Sequence, residues 1–333
     1  MFRKKKIDFL AIGDITTDAF IRLKDAEVHC NINSDKCELC VRFGDKIPYE
    51  FVEVVRAVGN SPNAAVGASR LGLSSALLTS MGDDQNGKEC LEALKKDKVS
   101  TDYIKIEKGK PTNYHYVLWY GADRTILVKH TDYKYEIPKN MPAPKWIYLS
   151  SLGPSAEAFH QDITRYLKAH PETKLSFQPG TFQISLGYEK LKAIYQRTEC
   201  FFCNLDEAGR ILKTDEKDVK KLLEGLHLLG PKIVAITDGP NGAYAYDGKE
   251  ACFTPQYPDP KPPYDRTGAG DAFSSTFTVA LSLGKTVPEA LSWGPVNSMS
   301  VVQYVGAQKG LLSMGQLEKY LTNAPASYKI SSI

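Results

Sequence analysis

Lys232-Ile233-Val234-Ala235-Ile236-Thr237 is the stretch on which the architecture turns. It is a short apolar run rich in β-branched residues, with no polar alternation, and Asp238-Gly239 stops it. A strand of that kind has to be covered on both faces, which is the situation inside a parallel sheet. The same pattern recurs on the N-terminal side. Cys200-Phe201-Phe202-Cys203, Lys174-Leu175-Ser176-Phe177, Lys145-Trp146-Ile147-Tyr148-Leu149-Ser150 and Ile7-Asp8-Phe9-Leu10-Ala11-Ile12 are all compact apolar runs closed by polar or turn residues. Helix-length segments lie between them. Residues 155–169 start on a Ser cap, and residues 215–228 carry Val219, Leu222, Leu223 and Leu226 at helical spacing. Strands alternating with helices predict one α/β domain over residues 1–333, a doubly wound, mostly parallel sheet flanked by helices.

Two segments, about 19–58 and 112–130, break that rhythm. In the second, Tyr114, Tyr116, Leu118 and Tyr120 alternate with Asn113, His115, Val117 and Trp119. Gly121-Ala122-Asp123 then turns the chain back through Thr125-Ile126-Leu127-Val128, a hairpin pattern. Phe51-Val52-Glu53-Val54-Val55 reads as a further strand. Together these pieces are expected to form a small antiparallel β lid able to shut a site against water. An ordinary surface hairpin is the competing reading, because aromatic residues favour strands for their own sake. Pro255, Pro258, Pro260, Pro262 and Pro263 make a stiff connector into the segment at Asp265.

Composition narrows the function classes. A net charge of +3 over 333 residues lacks the basic surplus of a nucleic-acid binder. No run approaches the roughly 20 apolar residues needed to span a bilayer, so neither nucleic acid nor membrane is expected as a partner. Seven cysteines cannot all pair within the chain, and no secretory leader is visible, which gives a reducing cytoplasm as the expected compartment.

The chemistry-bearing stretch is Asp265-Arg266-Thr267-Gly268-Ala269-Gly270-Asp271. Small residues at Gly268, Ala269 and Gly270 let backbone N–H groups close on an anion. A helix-compatible segment, 272–283, follows, so its positive end would favour the same anion. Asp271, in the first turn, can accept a proton from a hydroxyl attacking a phosphoryl group. Alone, the string also fits a helix with a favourable N-terminal carboxylate. Asn204 and Glu207 follow the strand ending at Cys203, on the edge where open α/β sheets bind ligands. They could orient waters around Mg²⁺ or simply form a capping box. Thr237 and Gly239 can touch a nucleotide, or belong only to the turn at Asn241-Gly242. Asp18, Gly59, Asn60 and Asn63 suit recognition of several hydroxyls, or caps and turns. Arg124 reads either as a contact to a substrate oxyanion or as a solvated strand residue. Cys30, Cys37 and Cys40 are candidate zinc ligands because Cys37-Glu38-Leu39-Cys40 has a knuckle-like gap; unpaired thiols are the competing reading.

Taken together these motifs resemble the ribokinase-like, or phosphofructokinase-B, family of carbohydrate kinases, from Ile7 to about Leu312. The resemblance implies Asp271 as catalytic base and an anion hole from Gly268, Ala269 and Gly270. It implies substrate contacts at Asp18, Gly59, Asn60 and Asn63, and nucleotide contacts at Asn204, Thr237, Gly239 and Asn297. It also implies Mg²⁺ held through water at Glu207, a monovalent cation such as K⁺ at Asp265 and Thr267, ATP as donor, and a homodimer through the lid. Two departures stand out. Val58-Gly59 replaces the usual glycine pair, and the cysteine-bearing stretch 29–40 lengthens the lid. The implied reaction moves the γ-phosphate of MgATP to a hydroxymethyl group of a sugar or sugar acid. A nucleoside acceptor, stacked on Tyr114, Tyr116, Trp119 and Tyr120, and an inactive ligand-binding protein on the same fold are the alternatives.

Overall fold

The computed structural model of the protein describes residues 6–30, 37–121 and 123–333. Its central sheet has ten strands among the described residues. From one edge they are Ser331–Ser332, Ala251–Thr254, Ala243–Tyr246, Ile233–Thr237, Cys200–Asn204, Lys174–Phe177, Trp146–Leu149, Phe9–Ile12, Ser75–Gly82 and Ser100–Glu107. All neighbours from Ile233–Thr237 onward pair in parallel, while the three strands at the first edge pair antiparallel.

The apolar runs are continuous because each strand feeds two cores. Phe9, Ala11, Cys200, Phe202 and Ala235 point to one side, where they meet Ala64, Phe273, Phe277 and Val296. Leu10, Ile12, Phe201, Cys203, Val234 and Ile236 point to the other, where Ile163, Ile194 and Leu223 cover them. Successive side chains of a strand face opposite ways, so a sheet sandwiched between helices favours apolar residues at nearly every position. The strand order reverses beside Phe9–Ile12. The chain runs outward one way through Ser75–Gly82 and the other way through Trp146–Leu149. Such a switch point opens a crevice at the carboxyl ends of the strands.

Two helices begin at the crevice, and the one after the loop starts three residues earlier than the segment 272–283 read from the sequence. One runs Asn60–Arg70, since Pro62 falls in the first turn, where a missing N–H costs no helical bond. Asn60 and Asn63 are therefore helical and share one face. The other runs Ala269–Ser282, with Gly268 as its cap at φ 80°. A Cβ on Gly268 would also stand 2.6 Å from the Ala307 Cα, so glycine is required there twice over.

The lid is a separate sheet in the order Tyr49–Val58, Thr16–Leu23, Asn113–Tyr120, Asp123–Leu127, with one parallel pair at its centre. Its turn at Ala122 lies outside the described residues. Phe20, Val117 and Trp119 pack with Val305, and Trp119 meets Tyr264 edge-on, so the lid rests on the segment leading into Asp265.

A short hairpin, Glu27–Cys30 with Cys37–Cys40, extends from the lid. It corrects the zinc reading. Cys30 and Cys37 stand opposite each other and are joined as a disulfide, so neither offers the thiolate that zinc requires. Cys40 is a free thiol, and the described residues contain no cluster of three metal-ligating side chains. No helix among the described residues is long and apolar enough to cross a membrane.

Candidate active site

Two clefts meet at the loop 265–271. The larger, about 750 Å³, lies under the lid and is bordered by Asp18, Gly59, Asn60, Asn63, Glu207 and Asp271. The second, about 530 Å³, is bordered by Thr237, Gly239, Asn241, Ala269 and Ser298. Asn204, Thr237, Arg266 and Gly270 border both. Thus most of the site residues read from the sequence border these two clefts; Cys30, Cys37 and Cys40 lie on the separate hairpin, Asn297 borders neither cleft, and Asp265 sits just behind the loop. The convergence follows from the fold, because Asn204 and Thr237 end parallel strands at the crevice while Asp271 starts a helix aimed into it.

Asp271 is buried and its carboxylate accepts three amide hydrogen bonds. Asn60 Nδ2 donates to Oδ1 at 2.7 Å, Gln178 Nε2 to Oδ1 at 3.1 Å, and Asn63 Nδ2 to Oδ2 at 2.8 Å. A further layer orients these amides. Tyr148 Oη donates to Gln178 Oε1, which turns the Gln178 amino group toward Asp271. Gln308 Nε2 donates to Asn63 Oδ1 at 3.0 Å, which does the same for Asn63. Burial pushes the Asp271 carboxyl above the usual range, and the three donors and the Arg124 charge pull against that. A raised but still ionisable carboxyl suits a general base.

Gly59 brings backbone close to this site. Its φ is 120°, and a Cβ there would stand 2.7 Å from the Asp14 carbonyl oxygen.

Glu207 and Asn204 form the capping box, Asn204 N–H donating to Glu207 Oε2 at 2.9 Å and Glu207 N–H to Asn204 Oδ1 at 2.8 Å. Both also border the larger cleft, so the cap leaves their side chains beside the space a ligand would fill. Burial pushes the Glu207 carboxyl up, and the negative charges of Asp271 and Asp206 add to it. A divalent cation would relieve that burden, and the donor is the hard oxygen Mg²⁺ prefers.

Asp265 is buried and closes the loop on itself. Its Oδ1 accepts from Thr267 N–H at 2.9 Å and Thr267 Oγ1 at 2.6 Å, and its Oδ2 accepts from Gly306 N–H at 2.8 Å. Arg124 reaches from the lid to within 3.9 Å of Asp265 Oδ1 and borders the larger cleft.

Asn297 is not where the sequence reading put it. It is fully buried, donating to Thr276 Oγ1 at 2.8 Å and accepting from Leu312 N–H at 3.0 Å, and it borders neither cleft. Its helix does flank the second cleft, through Pro295, Ser298 and Val302. The aromatic wall is also absent from the clefts. Tyr114, Tyr116 and Tyr120 lie on the lid face turned away from the site, and Trp119 is packed on Tyr264. Gln178, Gln308, His115 and His130 went unread. Gln178 had a usable signal, since like Asn204 it directly follows a buried parallel strand.

Comparison with known proteins fits this geometry. The pfkB family carbohydrate kinase pattern matches residues 25–314. The chain is 27% identical to an ATP-dependent 6-phosphofructokinase of Thermoanaerobacterium thermosaccharolyticum, over 92% of this chain and 91% of that protein. It is 27% identical to a ribokinase of Bacillus subtilis, over 79% of this chain and 87% of that one. The fold superposes on an Arabidopsis thaliana ribokinase solved with ribose and ATP, with a TM-score of 0.76 at 18% identity, covering 95% of this chain and 99% of that one. With a doubly wound sheet, a β lid and a buried carboxylate where two clefts meet, the chain belongs to the pfkB family of carbohydrate kinases.

Proposed function

We propose that the protein transfers the γ-phosphate of MgATP to a hydroxymethyl group of a sugar, with Asp271 as general base. The observation that carries the reading is the buried Asp271 carboxylate, held by three oriented amides at the junction of the two clefts. The acceptor occupies the larger cleft, where Asp18, Gly59, Asn60 and Asn63 meet its hydroxyls. The nucleotide occupies the second, against Thr237 and Gly239. The acceptor hydroxyl loses its proton to Asp271 as its oxygen bonds to phosphorus, and the bond to the bridging oxygen of ADP breaks. Backbone N–H groups of Gly268, Ala269 and Gly270 meet the charge on the transferring group, where preorganised donors act most strongly. Bound Mg²⁺ would neutralise phosphate charge, its waters held by Glu207 with Asn204. Asp265 and Thr267 are the proposed neighbours of a monovalent cation.

ATP consumption measured across ribose, fructose, 2-keto-3-deoxygluconate, adenosine and inosine tests the reaction. Asp271→Asn is expected to lower kcat by about 10²–10⁴. Equal turnover by wild type and variant would reject Asp271 as base. Turnover of nucleosides alone would reject the sugar acceptor.

A further inference from the structure

One short segment, Val305-Gly306-Ala307-Gln308, touches the lid, the loop at Asp265 and the cage around Asp271. Val305 packs into the lid core with Phe20, Val117 and Trp119. Gly306 N–H donates to Asp265 Oδ2 at 2.8 Å, and a Cβ on Gly306 would stand 3.1 Å from Val55 Cγ2 on the lid strand Tyr49–Val58. Ala307 lies where a side chain on Gly268 would point. Gln308 is buried and borders neither cleft, yet its Nε2 donates both to Asn63 Oδ1 at 3.0 Å and to Ala57 O at 2.8 Å. Arg70 holds the segment from behind. It donates to Gln308 O at 2.6 Å and to Leu311 O at 3.2 Å, and it pairs with Asp97.

These contacts settle the direction of each bond. An amide side chain can be turned end for end, exchanging donor for acceptor, so a relay of amides has two polarities open to it. A backbone carbonyl only accepts. Ala57 O therefore obliges Gln308 to present its amino group, whose second proton meets Asn63 Oδ1. Asn63 must then present its own amino group to Asp271 Oδ2, at 2.8 Å. Turned the other way, Gln308 would set its oxygen against two acceptors, and Asn63 would set its oxygen against a carboxylate. Ala57 is itself held at φ 56°, left-handed backbone that strains a residue with a side chain. A carbonyl near the end of a lid strand thus fixes the polarity of a relay that ends on the base.

Resting on the kinase reading, we propose that Gln308 is a positioning residue for phosphoryl transfer, passing the polarity of the Ala57 carbonyl to Asn63 so that Asp271 meets a donor and is held in line with the acceptor hydroxyl. Gln308 touches neither acceptor nor nucleotide and acts only through Asn63.

Gln308→Met keeps the length of the side chain and removes the donor. ATP consumption with the best acceptor of the panel reads kcat, and titration calorimetry with Mg²⁺ and ADP reads the nucleotide site. Gln308→Met is expected to lower kcat about tenfold, the scale of one lost hydrogen bond oriented on a charged group, while ADP affinity stays within about twofold of wild type. Gln308→Glu, which offers oxygens where donors are needed, is expected to lower kcat at least as far. In an Asn63→Ala background, Gln308→Met is expected to change kcat by less than about twofold, because residues that act through one another do not add. A merely structural defect would instead lower kcat by the same factor in both backgrounds. That equal factor overturns the proposal, as do Gln308→Met and Gln308→Glu both keeping wild-type kcat. Loss of ADP binding together with kcat in both variants overturns it too, since Gln308 would then only support the fold. Failure of the kinase reading looks different: wild type itself would consume no ATP with any acceptor, and the proposal would fall with it.

Discussion

Asp271 shows how far a single residue is set by its surroundings. Burial raises its carboxyl, and three amides hold it down. On the proposed mechanism the ionised form is the base, so activity should fall as pH drops through a value above the ordinary carboxylate range. Removing a donor weakens the ionised form. Asn63→Ala should therefore move the acid limb of the kcat–pH profile to higher pH, besides weakening acceptor binding. An unmoved limb would show that Asn63 does not tune the base. Gly268 gives a stability test. Gly268→Ala forces a side chain into left-handed backbone and against Ala307, and should cost about 1–3 kcal/mol in urea unfolding. At this scale the sequence was informative wherever chemistry and position coincide, as at Asp271, Asn204 and Thr237. It misled at Asn297, whose amide is spent inside the protein. Nothing in a residue type separates an amide that meets a ligand from one that joins two helices.

At the scale of elements, alternation revealed the lid strands but not their facing. The aromatic members of Asn113–Tyr120 looked like the binding side, yet the polar member His115 turns inward. The inner face is fixed by Phe20, Val117 and Trp119 docking on Val305 and Tyr264, contacts made across long stretches of sequence. Strand Asp123–Leu127 carries Arg124 over the loop at Asp265. Arg124→Gln removes a cation that favours ionised Asp271. It should lower kcat about tenfold or more, read by the same ATP-consumption assay; unchanged kcat would leave Arg124 a solvated strand residue. The hairpin at Cys30 offers a direct chemical check. Alkylation of the unfolded, unreduced protein should label Cys40, Cys90, Cys200, Cys203 and Cys252, and reduction should add Cys30 and Cys37. Labelling of all seven without reductant would contradict the disulfide. Spacing alone suggested metal there because it cannot show which two cysteines face each other across a ladder.

The whole molecule was the most legible scale. Continuous apolar runs specify a sheet covered on both sides, and two cores on opposite faces are what the structure contains. The outer lid face is the exception, an apolar surface that the chain itself does not cover. Val54, Ala19, Tyr116 and Leu127 form one row across its four strands, and Val54, Tyr116 and Leu127 are exposed. A second copy packed lid to lid would cover the row, and exposed apolar patches of this kind mark interfaces. Sedimentation should then show a dimer that Tyr116→Lys dissociates; a monomeric wild type would reject the pairing.

The amide cage around Asp271 has one more consequence. A carboxylate has about four acceptor directions, and three are already occupied. A proton can be drawn off only along the direction left open. A sugar hydroxyl anchored by its neighbouring hydroxyls can be held on that line, whereas a lone water has no such anchor. On the proposed mechanism, the arrangement that readies Asp271 for a sugar hydroxyl ill suits it to water, and ATP hydrolysis without an acceptor is expected to be slow.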